Sequence, residues 1–205
     1  MSKAYLLRCT DLAVIRGTRC LLSQLNWQVK AGELWQIRGD NGAGKTSLMR
    51  AIAGLAPQSL EGSLDLPSDF LFLGHKTGVK SDFTALENLR LHLGHTQNYD
   101  DQSLHHALDE VGLGDYHDEY AYRLSAGQQR RIALAQLFLS KSSLWFLDEP
   151  LTAIDVDGVA VIEACIERQV RSGGSVVYTS HQSLKLELST RTLHLRGRGQ
   201  VPDVS

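Results

Sequence analysis

Short apolar runs alternate with longer amphipathic stretches along much of the chain. Residues 32–38 (GELWQIR), 144–147 (LWFL) and 175–180 (SVVYTS) are short and mainly apolar, and each predicts a strand. Residues 46–55 have the spacing of an amphipathic helix that ends near Gly54. Strands that alternate with helices in this way predict an α/β fold whose sheet is mostly parallel and covered on both faces.

The middle of the chain, residues 83–124, has a different pattern, with few strand signals. Thr84 and Glu87 have the spacing of a capping box at the start of a helix. Residues 103–111 form another amphipathic run, which Gly112 stops. This stretch therefore predicts a helical insert between the two halves of the sheet. Beyond Arg196 the chain contains glycine and arginine, and we expect this tail to be frayed.

Composition narrows the class of protein. A chain of 205 residues suits one compact α/β core, and its apolar runs are far shorter than the ~20 residues that span a bilayer. The N-terminus lacks the pattern of a signal peptide, so we expect a cytosolic protein. Three cysteines without CxxC spacing favour a reducing compartment over a disulfide framework or zinc site. A net charge of −2 without a basic stripe argues against nucleic acid as the main partner.

Residues 39–46, GDNGAGKT, have the G-x-x-x-x-G-K-[ST] spacing of a phosphate-binding loop, here called the phosphate loop. Glycines let the backbone wrap round phosphate oxygens, and the following helix N-terminus adds a positive field. We expect Lys45 to reach the β- and γ-phosphates and Thr46 to bind Mg²⁺. A chance glycine-rich turn is the alternative, and the flanking strand and helix argue against it. The predicted nucleotide contacts are Gly39, Asp40, Asn41, Gly42, Ala43, Gly44, Lys45, Thr46 and Ser47.

Two adjacent carboxylates follow the apolar run at residues 144–147. Asp148 stands at the strand end, where a phosphoryl-transfer site holds Mg²⁺ directly or through water. Glu149 is expected to point elsewhere and to act as general base on the attacking water. The alternative is an acidic strand end that caps the next element. The phosphate loop in the same chain favours the catalytic interpretation.

Two further segments flank these carboxylates. In LSAGQQRR, residues 124–131, Ser125 is suited to cap a helix whose N-terminus, near Gly127, offers N–H groups to an anion. In LTAID, residues 151–155, Asp155 is suited to cap the helix that follows.

Together, the phosphate loop, LSAGQQRR, LWFLDEPL and LTAID resemble the ATP-binding cassette family over nearly the whole chain. The resemblance implies a P-loop NTPase core of cassette type, with a mostly parallel sheet and antiparallel strands near the N-terminus. It implies a single cassette domain over residues 1–205, with a helical subdomain at approximately residues 76–124 inserted in the core. We name residues 124–131 the signature segment and residues 151–155 the D-loop, after the matching family motifs.

The resemblance also implies how a complete site forms. In the family, the signature of one protomer closes over the ATP of the other, so this chain is expected to form a head-to-tail homodimer on binding ATP. Ser125, Gly127 and Gln128 would then meet the partner's γ-phosphate, and Asp155 would lie along the dimer seam. His181 occupies the position of the family's switch histidine, which contacts the γ-phosphate, and it is expected to assist catalysis.

Two positions depart from the family pattern. His75, eight residues before Phe83, stands where the Q-loop usually has glutamine, so direct glutamine-type ligation of Mg²⁺ is not expected. Its imidazole is instead expected to hold a water or to sense a partner subunit. Arg16, before Gly17, stands where an aromatic residue usually stacks on adenine, so any stack would place a guanidinium on the base. The choice between ATP and GTP therefore stays open.

One branch of the family resembles this chain in three segments: QIRGDNGAGKTSL, FLGHKTGVKSDFTALENL and residues 124–160. The members of that branch are the ATP-binding subunits of the haem-export complex of bacterial cytochrome c maturation. The resemblance implies an ATPase that uses ATP and Mg²⁺ and docks peripherally on membrane subunits at the cytoplasmic face of the inner membrane. The ATPase subunit of another transporter remains an alternative, and a soluble non-transport cassette is disfavoured by the lack of tandem cassettes or a basic face. Four histidines are interpreted as solvated surface residues rather than haem ligands: His92, His95, His105 and His106.

Overall fold

The computed structural model describes residues 5–56, 60–93, 99–180, 183–196 and 199–204. Within these residues the chain forms nine strands, five α-helices and two short 3-10 helices, which confirms the α/β class. The strands are β1 (Leu7–Arg16), β2 (Arg19–Val29), β3 (Leu34–Arg38), β4 (Leu60–Asp65), β5 (Leu71–Leu73), β6 (Leu144–Asp148), β7 (Ser175–Thr179), β8 (Thr190–His194) and β9 (Asp203–Val204). The helices are α1 (Lys45–Ile52), α2 (Ala85–Leu93), α3 (Asp101–Glu110), α4 (Ala126–Leu139) and α5 (Val156–Arg171).

The larger sheet has six strands in the order β5-β6-β7-β3-β8-β9, and all its pairings are parallel except that of β8 with β9. Every residue of β6 and β7 is buried, as expected for central parallel strands. The mostly parallel sheet is therefore confirmed. The prediction of a frayed tail beyond Arg196 is wrong for the last strand, because β9 pairs with β8 and Asp203 forms an ion pair with Arg196.

The smaller sheet has three antiparallel strands in the order β2-β1-β4, which confirms the antiparallel strands near the N-terminus. Its inward side chains join those of the larger sheet and α1 in one apolar core. Trp27 and Trp35 meet edge to face in this core, with ring centroids 5.5 Å apart. This packing supports β3, the strand that leads into the phosphate loop.

The chain divides into two compact units. The first comprises Met1–Gly74, Ser142–Pro150 and Glu167–Ser205, and it contains both sheets and α1. The second comprises His75–Lys141 and Leu151–Ile166, where α2, α3 and α4 pack on one another. Among the described residues, no helix combines the length and the apolar character that crossing a membrane requires.

Several element ends differ from the sequence prediction by a few residues. The helix predicted at residues 46–55 ends at Ile52, because the chain turns at Ala53 and Gly54 takes a φ of 71°. The helix predicted at residues 103–111 begins at Asp101, because Asp100 caps it by accepting from the Ser103 N–H. The capping box of α2 is confirmed, with Thr84 N–H donating to Glu87 Oε2 at 2.8 Å and Glu87 N–H donating to Thr84 Oγ1 at 3.2 Å.

Candidate nucleotide-binding site

The phosphate loop connects β3 to α1 in the first unit. Gly39 has a φ of 146°, and a Cβ there would lie 2.4 Å from the Leu195 carbonyl oxygen, so only glycine fits. Gly44 precedes α1 with a φ of 106°, and Lys45 is the first residue of the helix. Lys45 Nζ donates to the carbonyl oxygens of Gly39 at 2.8 Å and Asp40 at 3.2 Å. The loop thus combines a helix N-terminus with a cation, the features that bind phosphate.

Asp148 joins the phosphate loop to the end of the central strands. Its side chain is buried, with the residue only 1% exposed. Asp148 Oδ1 accepts from Thr46 Oγ1 at 3.2 Å and from Thr179 Oγ1 at 2.6 Å. These hydroxyl donors hold the carboxylate at the tip of β6, beside the first turn of α1.

The position of Glu149 is set by a turn in its own backbone, directly after β6 ends. It has a φ of 51°, which is rare for a residue other than glycine and turns the chain away from β6. Its N–H lies 3.1 Å from the Thr179 carbonyl oxygen and 3.0 Å from Thr179 Oγ1. Because of this turn, the two adjacent carboxylates have different surroundings: Asp148 is buried and Glu149 is only half-buried.

Sequence reasoning missed two residues that organise this region. Thr179 is fully buried and contacts both carboxylate residues. Gln36 is 2% exposed in the middle of β3, and its Nε2 donates to the Ser180 carbonyl oxygen at 3.2 Å, directly before His181. The available signal was a polar side chain inside an apolar run, because such a group must find hydrogen-bond partners when buried. His181 itself lies outside the described residues.

The signature segment begins α4 in the second unit. Ser125 caps this helix, and Gln128 completes a capping box: Ser125 N–H donates to Gln128 Oε1 at 2.9 Å, and Gln128 N–H donates to Ser125 Oγ at 3.2 Å. The predicted N-cap is therefore confirmed. Gly127 lies against the D-loop, since a Cβ there would be 2.8 Å from the Ala153 carbonyl oxygen.

The D-loop precedes α5 in the same unit. Asp155 Oδ1 accepts from the Gly158 N–H at 2.9 Å, so Asp155 caps α5 as the sequence predicted. That hydrogen bond, together with the Arg131 guanidinium, holds the pKa of the Asp155 carboxyl below its usual value.

The two positions that depart from the family pattern lie in different units. Arg16 is exposed at the end of β1, where the chain turns through Gly17 into β2. His75 is also exposed, and its carbonyl oxygen accepts from Arg130 at 3.3 Å. The loop after His75 is held by Asn88, a fully buried residue on α2 whose amide bonds to both backbone groups of Lys80.

The histidine interpretation is correct for one residue and wrong for another. His106 is exposed, as expected. His92 is not a solvated residue: its Nε2 is buried, and burial together with the charge of Lys80 lowers its pKa. His105 is half-buried and stacks on His117 with ring centroids 4.5 Å apart. His95 lies outside the described residues.

The three cysteines differ in exposure. Cys9 and Cys165 are buried, and Cys20 is half-buried. Burial raises the pKa of the Cys9 thiol to about 12, so this side chain behaves as a small apolar residue.

Comparison with known proteins agrees with this geometry. The family model described as ABC transporter matches residues 22–152. The cytochrome c biogenesis ATP-binding export protein CcmA of Vibrio cholerae is 48% identical over 191 residues, which cover 87% of this chain and 92% of that protein. The protein of the same name from Idiomarina loihiensis is 42% identical over 211 residues, covering 96% of this chain and 95% of that one.

Solved structures share the fold. The ATP-binding cassette MJ0796, in a dimeric post-hydrolysis state bound to ADP and Pi, matches with a TM-score of 0.82 at 20% identity, covering 97% of each chain. An ATP-binding subunit of an ABC transporter matches with a TM-score of 0.83 at 20% identity, covering 98% of this chain and 89% of that one. The chain belongs to the ABC transporter family, as an ATPase cassette of the group whose members are named CcmA.

Proposed function

We propose that this cassette is the ATP-binding subunit of a membrane complex for cytochrome c biogenesis, in which ATP hydrolysis drives haem export or the release of a haem carrier. Relatives with that export name are 42% to 48% identical over most of the chain, which supports this branch. The observation that carries the ATPase chemistry is the hydrogen-bonded cluster of Thr46, Asp148, Thr179 and the Glu149 backbone.

The residues of this cluster fit Mg²⁺, which the family implies. Thr46 Oγ1 and Asp148 Oδ1 are neighbouring oxygen donors, 3.2 Å apart, and Mg²⁺ prefers oxygen ligands. Thr46 would bind the ion through its hydroxyl, and Asp148 would bind it directly or through water. When bound, Mg²⁺ offsets the charge on the β- and γ-phosphate oxygens.

The remaining chemistry belongs to side chains of the chain. Lys45 stabilises the negative charge on the β- and γ-phosphates, while the loop N–H groups and Ser47 hold the phosphate chain. Glu149 takes a proton from the attacking water. At the same time the water oxygen forms a bond to the γ-phosphorus, and the bond from that phosphorus to the ADP oxygen breaks. His181 orients the γ-phosphate. ADP and phosphate are the products.

The complete site is proposed to require two chains. Ser125, Gly127 and Gln128 would bind the γ-phosphate of the partner's ATP with the N-terminus of α4. Asp155 would lie at the seam between protomers. This arrangement has the symmetry of a closed dimer, in which each chain gives the same two surfaces.

Arg16 and His75, which depart from the family pattern, are assigned to recognition of the base and to coupling with the membrane subunits. Arg16 would stack its guanidinium on the nucleotide base, which accepts adenine and guanine alike. His75 would pass the nucleotide state, through the helical subdomain at approximately residues 76–124, to integral membrane subunits. The chain would then be a peripheral protein of the cytoplasmic face of the inner membrane.

The test is made in the host, with the gene deleted and then restored as wild type or as Glu149→Gln. Covalently haem-bound c-type cytochromes are measured in the membrane and periplasm. We expect them to be lost on deletion, and to return with wild type but not with Glu149→Gln. Normal cytochromes in the deletion strain, without a second copy of the gene, would contradict the branch and point to the ATPase of another transporter.

A further inference from the structure

Arg131, at the end of the signature segment, links three parts of the second unit. Its guanidinium donates to the Val111 carbonyl oxygen at 2.8 Å, at the end of α3. The same group donates to both carboxylate oxygens of Asp155, each at 2.6 Å. The Arg131 side chain is only 18% exposed, whereas that of Asp155 is 65% exposed. The arginine thus binds the end of α3 and, with the same guanidinium, the last residue of the D-loop.

The backbone around this guanidinium leaves room for it at two glycines. A Cβ at Gly112 would lie 2.5 Å from Arg131 Nη1, and Gly112 has a φ of 73°. A Cβ at Gly158 would lie 3.2 Å from Arg131 Nη2 and 2.6 Å from Ile154 Cγ2. A side chain at either position would push against Arg131 or the D-loop, so glycine at both positions leaves room for the contact between Arg131 and Asp155.

The D-loop is held to the signature segment at a second point. Gly127 approaches the Ala153 carbonyl oxygen so closely that a Cβ would come within 2.8 Å of it. Ala153 has a φ of 64°, a conformation that a non-glycine residue adopts only when its surroundings hold it there. Gly127 and Arg131 are four residues apart on α4, so they lie on the same face of the helix. Two contacts on one helix face therefore fix both ends of the segment from Ala153 to Asp155.

We propose that Arg131 is a positioning residue that sets the D-loop relative to Ser125 and Gly127, so that both segments reach the partner's nucleotide together. This inference rests on the proposed two-chain site. It assigns Arg131 to the catalytic site of the other protomer, not to the nucleotide bound by its own phosphate loop. The residue touches neither nucleotide; it acts through Asp155 and the D-loop.

The ion pair is suited to positioning rather than to stability. One partner is mostly exposed, and pairs of this kind contribute little to the free energy of unfolding. Misplacing a group that meets a reacting phosphate has a much larger effect on rate, because catalysis depends on geometry. Arg131 substitutions should therefore leave a folded chain with a defective catalytic step.

The first experiment separates positioning from folding and binding. We expect Arg131→Gln to lower kcat for ATP hydrolysis about tenfold, with the nucleotide affinity of the single chain changed by less than about twofold. Asp155→Asn should lower kcat similarly, and the double variant should be no worse than either alone, since both changes remove one interaction. Arg171→Gln, which breaks an exposed ion pair with Glu167 on α5, is the matched control and should keep wild-type kcat.

The second experiment tests the assignment to the other protomer. Wild type or Arg131→Gln is mixed with a large molar excess of Glu149→Gln before ATP is added. Nearly every wild-type or Arg131→Gln chain then pairs with a Glu149→Gln chain. In these dimers the only site with an intact Glu149 takes its signature segment and D-loop from the excess chain. Arg131→Gln should then hydrolyse ATP at the same rate as wild type in the same mixture. A rate that stays about tenfold lower would overturn the inference, as would an Arg131→Gln chain that keeps wild-type kcat alone. A wild-type chain without ATPase activity would instead contradict the proposed function.

Discussion

The phosphate-loop region and the signature region are both rich in polar contacts, but they bury them differently. In the first, Asp148 and Thr179 are 1% and 0% exposed, and their side chains share a hydrogen bond of 2.6 Å. In the second, the capping groups of Ser125 and Gln128 lie at the surface, and the side chain of Asp155 is 65% exposed. The polar contacts of the first region are buried, whereas those of the second lie at the surface.

This difference predicts that substitutions in the two regions have different effects on stability and on rate. A buried carboxylate that loses a donor destabilises the folded chain as well as its chemistry, because the remaining group is left poorly satisfied. A polar contact at the surface has water as a substitute, so its loss should affect the reaction between chains more than folding. Substitutions in the two regions can therefore be told apart by measuring stability and rate together.

The largest effect is expected for Glu149→Gln. The amide keeps the shape of the side chain but cannot take a proton, so we expect the hydrolysis rate to fall by roughly 10³-fold while ATP still binds. Single-turnover hydrolysis and sedimentation of the ATP-bound chain measure this, and the chain should accumulate as a dimer. Glu167→Gln, on α5, is the control. Hydrolysis at the wild-type rate would remove Glu149 from the role of general base.

A smaller effect, on affinity rather than rate, is expected for Lys45→Ala. The loop would lose the ammonium group that now lies 2.8 Å from the Gly39 carbonyl oxygen, and with it the cation for the phosphates. We expect the Kd for ATP to rise by roughly 10²-fold. Titration with a fluorescent ATP analogue checks this, with Lys141→Ala as the control on an exposed lysine. Unchanged affinity would contradict the assignment of the phosphate loop.

Thr179→Val sharpens the contrast between the regions, because it removes a buried hydroxyl with almost no change in shape. Asp148 would lose a donor at 2.6 Å, and the Glu149 N–H would lose one of its acceptors. We expect the free energy of unfolding to fall by about 1–3 kcal/mol and the hydrolysis rate to fall about tenfold. Urea unfolding and ATPase assays check both, and Thr179→Ser should restore them. Thr10→Val, at an exposed position of β1, is the control; equal effects at both positions would contradict the role of the buried cluster.

The smallest effect concerns pH. Burial and Lys80 lower the pKa of His92 below its ordinary value of 6.5, so the unfolded chain takes up a proton before the folded chain does. The free energy of unfolding should therefore fall as pH falls through 6.5, the ordinary pKa of histidine. Asp100 and Asp155 also have lowered pKa values, but from 3.8, so their contributions are lost only at lower pH.

His92→Gln should reduce this slope, measured by thermal unfolding at a series of pH values. Leu91→Gln, at the neighbouring exposed position of α2, is the control and should keep the wild-type slope. An identical slope in wild type and His92→Gln would show that His92 does not titrate as its burial indicates.

Local sequence patterns were sufficient for the parts of the molecule that depend on neighbouring residues. The phosphate loop, the cap at Ser125 and the capping box at Thr84 each need only a few consecutive side chains, and each forms as expected. The alternation of apolar strands and helices also predicted the mostly parallel sheet. Element ends were less accurate, because the turn at Gly54 and the cap at Asp100 decide them.

Contacts between distant residues were beyond the sequence. Thr179 meets Asp148 across 31 positions, and Gln36 meets Ser180 across 144, so neither pairing has a local pattern. His92 was assigned to the surface because it lies on a helical insert that is polar overall, yet its Nε2 is buried. The link from Arg131 to Asp155 is likewise visible only once α4 and the D-loop are folded together.

The account depends on one claim, that the phosphate-loop region of one chain needs the signature region of another. The most direct measurement is the specific ATPase rate of the wild-type chain as its concentration is varied at saturating ATP and Mg²⁺, with the dimer fraction followed by sedimentation. We predict that the rate per chain rises with concentration and levels off as the dimer forms. A rate per chain that is already maximal while the protein is monomeric would contradict the claim.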